Sequence, residues 1–239
     1  MFYRKLRGKF RKIAEDNQLW DEEVIISGRT LSAKEAIGNP ERTDYPIIKG
    51  KEKLMEAVFK GTRGQAFTDM AGDFQGTLGQ ILSKNPESNF DRAILISTMN
   101  AVLKYLGLVD RTIHCHDEEP ELCSRELVKH IKDRFGGPKI ALVGFQPAML
   151  DKLQQTFEVR ALDLDPDNIG KIKYGVLIEG AEATEAVLQW CDLIIATGST
   201  VVNATITDYC NSKPAIFFGT TGAAAAQLMG LERWCFMGS

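Results

Sequence analysis

The sequence predicts an α/β protein in two parts: an irregular α+β segment over residues 1–136, then a small Rossmann-like parallel-sheet domain over residues 137–239. Three observations predict it. After residue 138, continuous apolar runs alternate with helix-forming segments, the pattern of a parallel sheet covered on both faces. Before it, glycines and prolines cut the chain into short, unequal elements. Between them, Phe135-Gly136-Gly137-Pro138 is the strongest break in the chain. With 239 residues, 44% hydrophobic and 26% charged, the chain can bury a full core without disulfide or metal staples.

Residues 1–17 read as a helix, because Phe2, Leu6, Phe10 and Ile13 fall at helical spacing beneath a basic outer face. Val24–Ser27 is a short apolar strand ended by Gly28. Residues 30–50 are turn-rich, with Gly38-Asn39-Pro40, Tyr45-Pro46 and Gly50. Lys51–Lys60 is expected as a short helix with Leu54, Ala57 and Val58 on one side. Gly61, Gly64, Gly72, Gly76 and Gly79 then punctuate a stretch of short elements. Asp91–Leu106 is a helix on its stripe Ile94, Leu95, Met99, Val102, Leu103 and Leu106, with Gly107 as its C-cap. Pro120–Arg134 is another, with Pro120 near its first position. In the second part, strands are expected at Lys139–Gly144, Val159–Leu164, Leu193–Thr197, Ala215–Gly219 and Cys235–Met237. Helices are expected between them at Pro147–Phe157, Ala181–Cys191, Val202–Cys210 and Ala223–Met229.

The net charge of −3 comes from 29 basic and 32 acidic residues. Residues 1–137 hold 22 basic and 21 acidic residues, and residues 138–239 hold 7 and 11. A nucleic-acid binder is usually basic with a clustered patch, so nucleic acid is not an expected partner. No apolar run reaches the ~18 residues of a membrane span. The basic start lacks the apolar core of a secretory signal. Five cysteines, an odd count, then point to reduced thiols and a cytoplasmic protein. A homodimer is compatible with all of this.

Open parallel sheets bind ligands beyond the carboxyl ends of their strands, where the strand order reverses. Three loops fall there: Gly144-Phe145-Gln146-Pro147, the Asp163 to Asn168 segment, and Thr197-Gly198-Ser199-Thr200 leading to Asn203 and Thr205. Gly198 permits a tight turn, while Ser199 and Thr200 are good N-cap residues. Free amides at such a helix start suit an anion; the plainer reading is simple capping of a strand-to-helix turn. The dinucleotide fingerprint is absent, because Gly144 is not followed by further glycines at its spacing. Asp163 stands where an acid often binds ribose hydroxyls, which leaves a nucleoside or S-adenosylmethionine pocket open; aspartate is also common in turns.

A second cluster lies in the first part. His114-Cys115-His116-Asp117-Glu118-Glu119-Pro120-Glu121-Leu122-Cys123 holds two of the three histidines and two of the five cysteines. Imidazole and thiolate suit a transition metal such as Zn, Ni, Co or Fe, so His114, Cys115, His116 and Cys123 are the candidate metal ligands. In an extended chain His114 and His116 share one face and Cys115 the other, so one ion would need a bend. The alternative is structural, with the thiols as small buried hydrophobes. A Ser-His-Asp hydrolase is excluded by the lack of a Gly-x-Ser-x-Gly elbow, and no Walker-type phosphate loop is present.

Leu142-Val143-Gly144-Phe145-Gln146-Pro147, Cys191 through Thr205 and Phe217-Phe218-Gly219 together resemble the uncharacterised family called "putative heavy-metal chelation domain". The family's Thr-Gly-x-x-x-x-Asn-x-Thr stretch matches Thr197, Gly198, Asn203 and Thr205. Gly72-Asp73-Phe74-Gln75-Gly76-Thr77-Leu78 and Thr98-Met99-Asn100-Ala101-Val102 resemble the amino-terminal half found with that domain. The resemblance implies an enolase-amino-terminal-like α+β domain joined to the Rossmann-like one, with a site in the cleft between them. It carries Gly144, Gly198, Ser199, Asn203, Thr205 and Asn100 to that cleft. The expected function is binding of a small anionic or metal-chelating ligand there, as in heavy-metal chelation or handling. The alternative is a transferase or lyase using a nucleoside-type cofactor such as S-adenosylmethionine. Fold analogy does not decide whether the protein is an enzyme.

Overall fold

The basic first segment folds as α1 (Phe2–Asp16), burying Leu6, Phe10 and Ala14 at four-residue intervals. The structure is a computed structural model and describes residues 1–27, 32–50, 52–210 and 213–239. Gly28, the expected end of the first strand, and Lys51, the expected start of a helix, lie outside the described residues. A four-stranded antiparallel sheet follows α1, built from β1 (Glu23–Ser27), β2 (Lys53–Phe59), β3 (Thr62–Thr68) and β4 (Phe74–Thr77). Its order is β3-β2-β1-β4. A short helix, α2 (Ala33–Ile37), interrupts the turn-rich stretch, held by a Ser32–Glu35 capping box.

The segment expected as a helix over Lys51–Lys60 is instead strand β2. Leu54, Ala57 and Val58 fit a helical face, but Met55, Ala57 and Phe59 also alternate, and the alternation wins. The deciding feature is the turn: Lys60 (φ 46°) and Gly61 (φ 78°) both adopt left-handed backbone and close a two-residue hairpin that pairs Phe59 with Thr62. α3 (Leu78–Ser83) and α4 (Asn89–Tyr105) follow. A Ser88–Asp91 capping box starts α4, which is buried along most of its length as it crosses the antiparallel sheet.

α5 (Glu119–Phe135) buries Cys123, Leu127 and Ile131 in the same apolar cluster as the centre of the second sheet. That sheet contains β5 (Ile140–Val143), β6 (Val159–Leu162), β7 (Ile172–Lys173), β8 (Val176–Glu179), β9 (Leu193–Thr197), β10 (Ala215–Phe218) and β11 (Glu232–Trp234). The order is β11-β10-β9-β5-β6-β8-β7, parallel throughout except at β7. The β7–β8 hairpin was not expected. Like the first, it turns on a residue and a glycine with left-handed backbone, Tyr174 (φ 51°) and Gly175 (φ 80°). α6 (Pro147–Leu153), α7 (Thr184–Trp190) and α8 (Ala223–Met229) complete the layers.

Two further expectations are corrected. The helix over Val202–Cys210 is replaced by short 3₁₀ turns at Gly198–Val201 and Ile206–Asp208. The amides of Val202 and Asn203 both reach Ser199 O, and Ala204 (φ 62°) takes a left-handed conformation that stops helix growth. The last strand is Glu232–Trp234 rather than Cys235–Met237, because Ile216, Phe217 and Phe218 pair with residues 232–234.

The apolar core runs through both sheets. One cluster joins Leu6, Phe10, Met99 and Val102 to Val143, Ile194 and Phe217. α8 sits at this junction: Ala223–Ala226 are buried, and their small side chains let it pack against both α1 and α4. Among the described residues no helix is long and apolar enough to cross a membrane.

Candidate functional site

The strand order reverses at β5. The chain moves to one side for β6 and to the other for β9, so the β5 and β9 loops flank a crevice at the carboxyl edge of the sheet. A cavity of about 670 Å³ opens there, within the range for small-molecule sites. Residues following β6, β5, β9, β10 and β11 form one wall, and parts of the antiparallel half, notably Tyr45, Glu52 and Phe67, form the other. From β6 to β11 the wall spans four inter-strand spacings, roughly 19 Å.

Most sequence-nominated residues meet at this cavity: Gly144, Phe145 and Asp163, then Thr197, Ser199, Thr200, Asn203 and Thr205, and also His114, Cys115 and Cys123. Gly144 holds φ +86°, and a Cβ there would come within 2.6 Å of Thr197 Cγ2, so the two loops touch at the switch point. Three nominated residues do not line it. Gly198 packs on Gly222, where a Cβ would stand 2.5 Å from the Gly222 nitrogen. Asn100 is fully buried behind the wall. His116 lies off the cavity, with its main-chain N–H donating to Glu119 Oε2 at 2.7 Å.

The hydroxyls of the β9 loop are largely occupied with one another. Ser199 N–H donates to Thr197 Oγ1, and Thr200 Oγ1 donates to Thr197 O at 2.8 Å. In place of the expected helix a single 3₁₀ turn starts at Gly198, with its Ser199 amide taken by Thr197 Oγ1. The described lining residues include Glu52, Asp69, Asp163, Asp165 and Asp208, and no Lys or Arg. Asp163 braces its own turn: Oδ1 accepts from the amides of Leu164 (2.6 Å) and Asp165 (3.2 Å), and Oδ2 from Asn168 (2.8 Å). Burial nevertheless raises its pKa, against those bonds.

At the β11 end three thiols line the wall: Cys115, Cys123 from the first turns of α5, and Cys235 just after β11. Each of the first two lies within electrostatic reach of the others. Burial pushes Cys115 and Cys123 upward, so both are neutral thiols rather than nucleophilic thiolates. The amides of Phe236 and Met237 and the Trp234 indole N–H face the Cys123 sulfur and oppose the shift. The indole N–H makes no hydrogen bond of normal geometry. His114 stacks edge-on against Phe67, and its Nδ1 stands 2.6 Å from Cys115 O. The Ala36 carbonyl also faces the ring.

The donor chemistry suits a soft metal, but the geometry does not form a cage. Among the described residues no three of His, Cys, Asp and Glu stand close enough together to hold an ion. His114, Cys115, His116 and Cys123 therefore do not form one coordination set: His116 is off the cavity and His114 faces carbonyls.

Two wall groups give opposite pH responses. Burial, then the charges of Asp163 and Asp165, raise Glu52 to about 7. Burial, then His116, lower His114 to about 4, against the Cys115 and Ala36 carbonyls. The Glu52 contribution is present below its unfolded value of 4.5 and lost as pH rises through 7. The His114 contribution is present above 6.5 and lost as pH falls through 4. Glu52→Gln should therefore gain stability over wild type as pH rises, and His114→Gln as pH falls, each by about 3 kcal/mol across its window. Urea unfolding from pH 4 to 8 measures both; differences that do not change with pH would refute the assignment.

Sequence reading missed Tyr45, Glu52, Phe67, Thr220, Thr221 and Cys235, all on the wall. The Gly219-Thr220-Thr221-Gly222 turn follows β10 at the same sheet edge, so the rule that selected the β9 loop selects it too. Cys235 was hidden by placing the last strand three residues late. Nothing in the local sequence marks Tyr45 or Glu52.

Fold and cavity define a mixed α/β protein with one antiparallel and one mostly parallel sheet, and with a cavity lined by residues of both halves. Residues 126–228 match the family model DUF364, described as "Putative heavy-metal chelation". A solved structure from Pyrococcus horikoshii, a DUF364 protein of unknown function, is 16% identical with a TM-score of 0.55. The match covers 91% of this chain and 80% of that one, and the likeness is one of fold. A second DUF364 protein of unknown function, from Desulfitobacterium hafniense DCB-2, is 14% identical with a TM-score of 0.49, over 74% of this chain and 72% of that one. No curated protein matches the chain.

Proposed function

We propose that this protein binds a small metal-chelating organic molecule in the cavity between its sheets, the transition metal arriving on the ligand rather than in a cage of protein donors. The carrying observation is the wall itself: among the described residues it holds three thiols and five acidic side chains, no Lys or Arg, and no three donors converging on a point. A volume of about 670 Å³ suits an organic ligand. Cys115, Cys123 and Cys235 offer soft donors to an exposed edge of the metal, which would be Zn, Ni, Co or Fe. Of the two ligand types expected from sequence, the described wall supports the chelate over the anion. All five cysteines are free, which supports a reducing, cytoplasmic setting.

Calorimetric titration of anaerobically purified protein tests this, using Zn(II), Ni(II), Co(II) and Fe(II) alone and precomplexed with 8-hydroxyquinoline. One complex per chain is expected, with free ions binding far more weakly. Cys115→Ser and Cys123→Ser should each weaken the complex by about tenfold, the loss of one good contact. Free ions binding as tightly as the complexes would sink the reading, and so would no binding of either.

A second reading is favoured by Asp163, on the wall at the carboxyl end of β6. A nucleoside-type cofactor such as S-adenosylmethionine would set its ribose there, and its sulfonium cation suits an acidic wall. Saturable thermal stabilisation by S-adenosylmethionine, without a metal, would favour this transferase or lyase reading.

A further inference from the structure

We propose that Cys123 and Cys235 are a dithiol pair that closes to a reversible disulfide at one end of the cavity. Cys115, Cys123 and Cys235 line the same wall. Cys191 and Cys210 lie elsewhere, their sulfurs 3.6 Å from Leu188 O and 3.0 Å from Ile206 O. Cys123 and Cys235 are far apart in the sequence, so their meeting is a property of the fold.

The segment after β11 makes the meeting. Arg111 Nη1 donates to Cys235 O at 2.8 Å. Ile113 and Ser239 then exchange both main-chain hydrogen bonds, at 2.8 and 3.2 Å. Between these two ties the chain passes over the first turns of α5. The Trp234 indole N–H and the amides of Phe236 and Met237 all face the Cys123 sulfur. Residues on both sides of Cys235 therefore meet that sulfur. By bond geometry the Cys235 Cα is about 2.4 Å from the Phe236 nitrogen. The Cys123 sulfur thus stands beside the Cys235 main chain, the placement that a disulfide requires.

The two thiols differ in access, which sets the order of events. Cys123 is buried and Cys235 is partly exposed. The Cys235 sulfur is turned toward Arg111 O at 4.0 Å, and Gly238 leaves it room, since a Cβ there would stand 2.6 Å from it. Cysteine has a single side-chain torsion, so one rotamer change redirects this sulfur. The oxidant is a small disulfide such as oxidised glutathione. Cys235 gives its proton to water and bonds to one glutathione sulfur; the glutathione S–S bond breaks, and the departing thiolate takes up a proton. Cys123 then loses its proton, attacks the Cys235 sulfur of the mixed disulfide and releases the second glutathione as a thiol. Two protein thiols are oxidised, and one glutathione disulfide is reduced to two thiols. The bond ties the segment after β11 to α5 and withdraws two soft donors from the wall.

Peptide mapping tests this. Native reduced protein is equilibrated in a glutathione buffer with both forms at millimolar concentration, alkylated, and digested with trypsin without reduction. Residues 112–125 carry Cys115 and Cys123, and residues 234–239 carry Cys235. The two peptides should be found joined, exceeding glutathione mixed disulfides at Cys235 by about tenfold or more. The joined species should persist in Cys115→Ser and vanish in Cys235→Ser, with Cys191 and Cys210 alkylated throughout. Mixed disulfides without the link, a bond within residues 112–125, loss of the link in Cys115→Ser, or full alkylation would each overturn the proposal. Oxidation of Cys191 and Cys210 alongside would also overturn it, because the fold would then be opening. The map contains no metal or chelator, so its failure leaves the chelate titration standing, and failure of that titration leaves the disulfide to be decided by the map.

Discussion

Gly64→Ala should abolish stable folding, or cost more than about 4 kcal/mol in urea unfolding. A Cβ at residue 64 would lie 2.2 Å from the Ala101 nitrogen, 2.5 Å from Ser97 O and 2.7 Å from the Asn100 carbonyl carbon. All three are backbone atoms of α4, which cannot rotate aside as a side-chain tip can. α4 is seated directly on β3 at this point, so relief requires lifting a buried helix off its sheet. Gly61, three residues earlier, is the control. Its Cβ would meet nothing, and only its left-handed backbone (φ +78°) opposes a side chain. Gly61→Ala should cost roughly 1 kcal/mol. Comparable stabilities for the two variants would show that α4 yields at residue 64.

The same pair shows where the sequence is legible. Both glycines read alike in the sequence, as breaks between short elements. One serves the backbone angle of a turn, and the other serves the approach of an element almost forty residues away. Only the first is a local property. The parallel sheet was readable because its central strands are buried on both faces and appear as unbroken apolar runs: strand Leu193–Thr197 falls where expected, as does the helix Ala223–Met229 beside it. The two hairpins were not readable, because their turns are Lys60-Gly61 and Tyr174-Gly175 rather than the Asn-Gly or Asp-Gly that advertise such turns. The β9 loop was located correctly, but its continuation was not. Val202–Cys210 has helix-compatible composition, yet Ala204 adopts φ 62°, and Gly198 is packed closely against Gly222.

The candidate site divides in the same way. Residues at strand ends were accessible through the rule for open parallel sheets, which depends only on the order of strands along the chain. Tyr45 and Glu52 come from the opposite wall and are brought in by tertiary packing, Tyr45 in a cluster with Ala148 of α6. The His-Cys-His segment was chosen for its chemistry, and chemistry alone does not orient a ring. His114 turns toward the Cys115 and Ala36 carbonyls, and His116 stays off the cavity.

Asn100→Ala should lower unfolding free energy by roughly 3 kcal/mol, with a fall in melting temperature of about 9 °C for a chain of this size. Resemblance placed this residue in the cleft, and its position explains why it matters without reaching the cavity. Its Nδ2 donates to Gln65 O (2.8 Å) on β3 and to Thr220 O and Thr221 O on the turn after β10. Its Oδ1 accepts from Ala224 N–H (2.8 Å) at the start of α8. Asn100 thus satisfies main-chain groups on both sides of the junction, at full burial where no water replaces it. Asn100→Asp separates the two roles. It keeps the acceptor for Ala224 but turns a carboxylate toward three carbonyls, so it should be worse than alanine at neutral pH. Its deficit should shrink as pH falls, because protonation restores one donor. If both variants match wild type across that range, the junction is held by apolar packing alone.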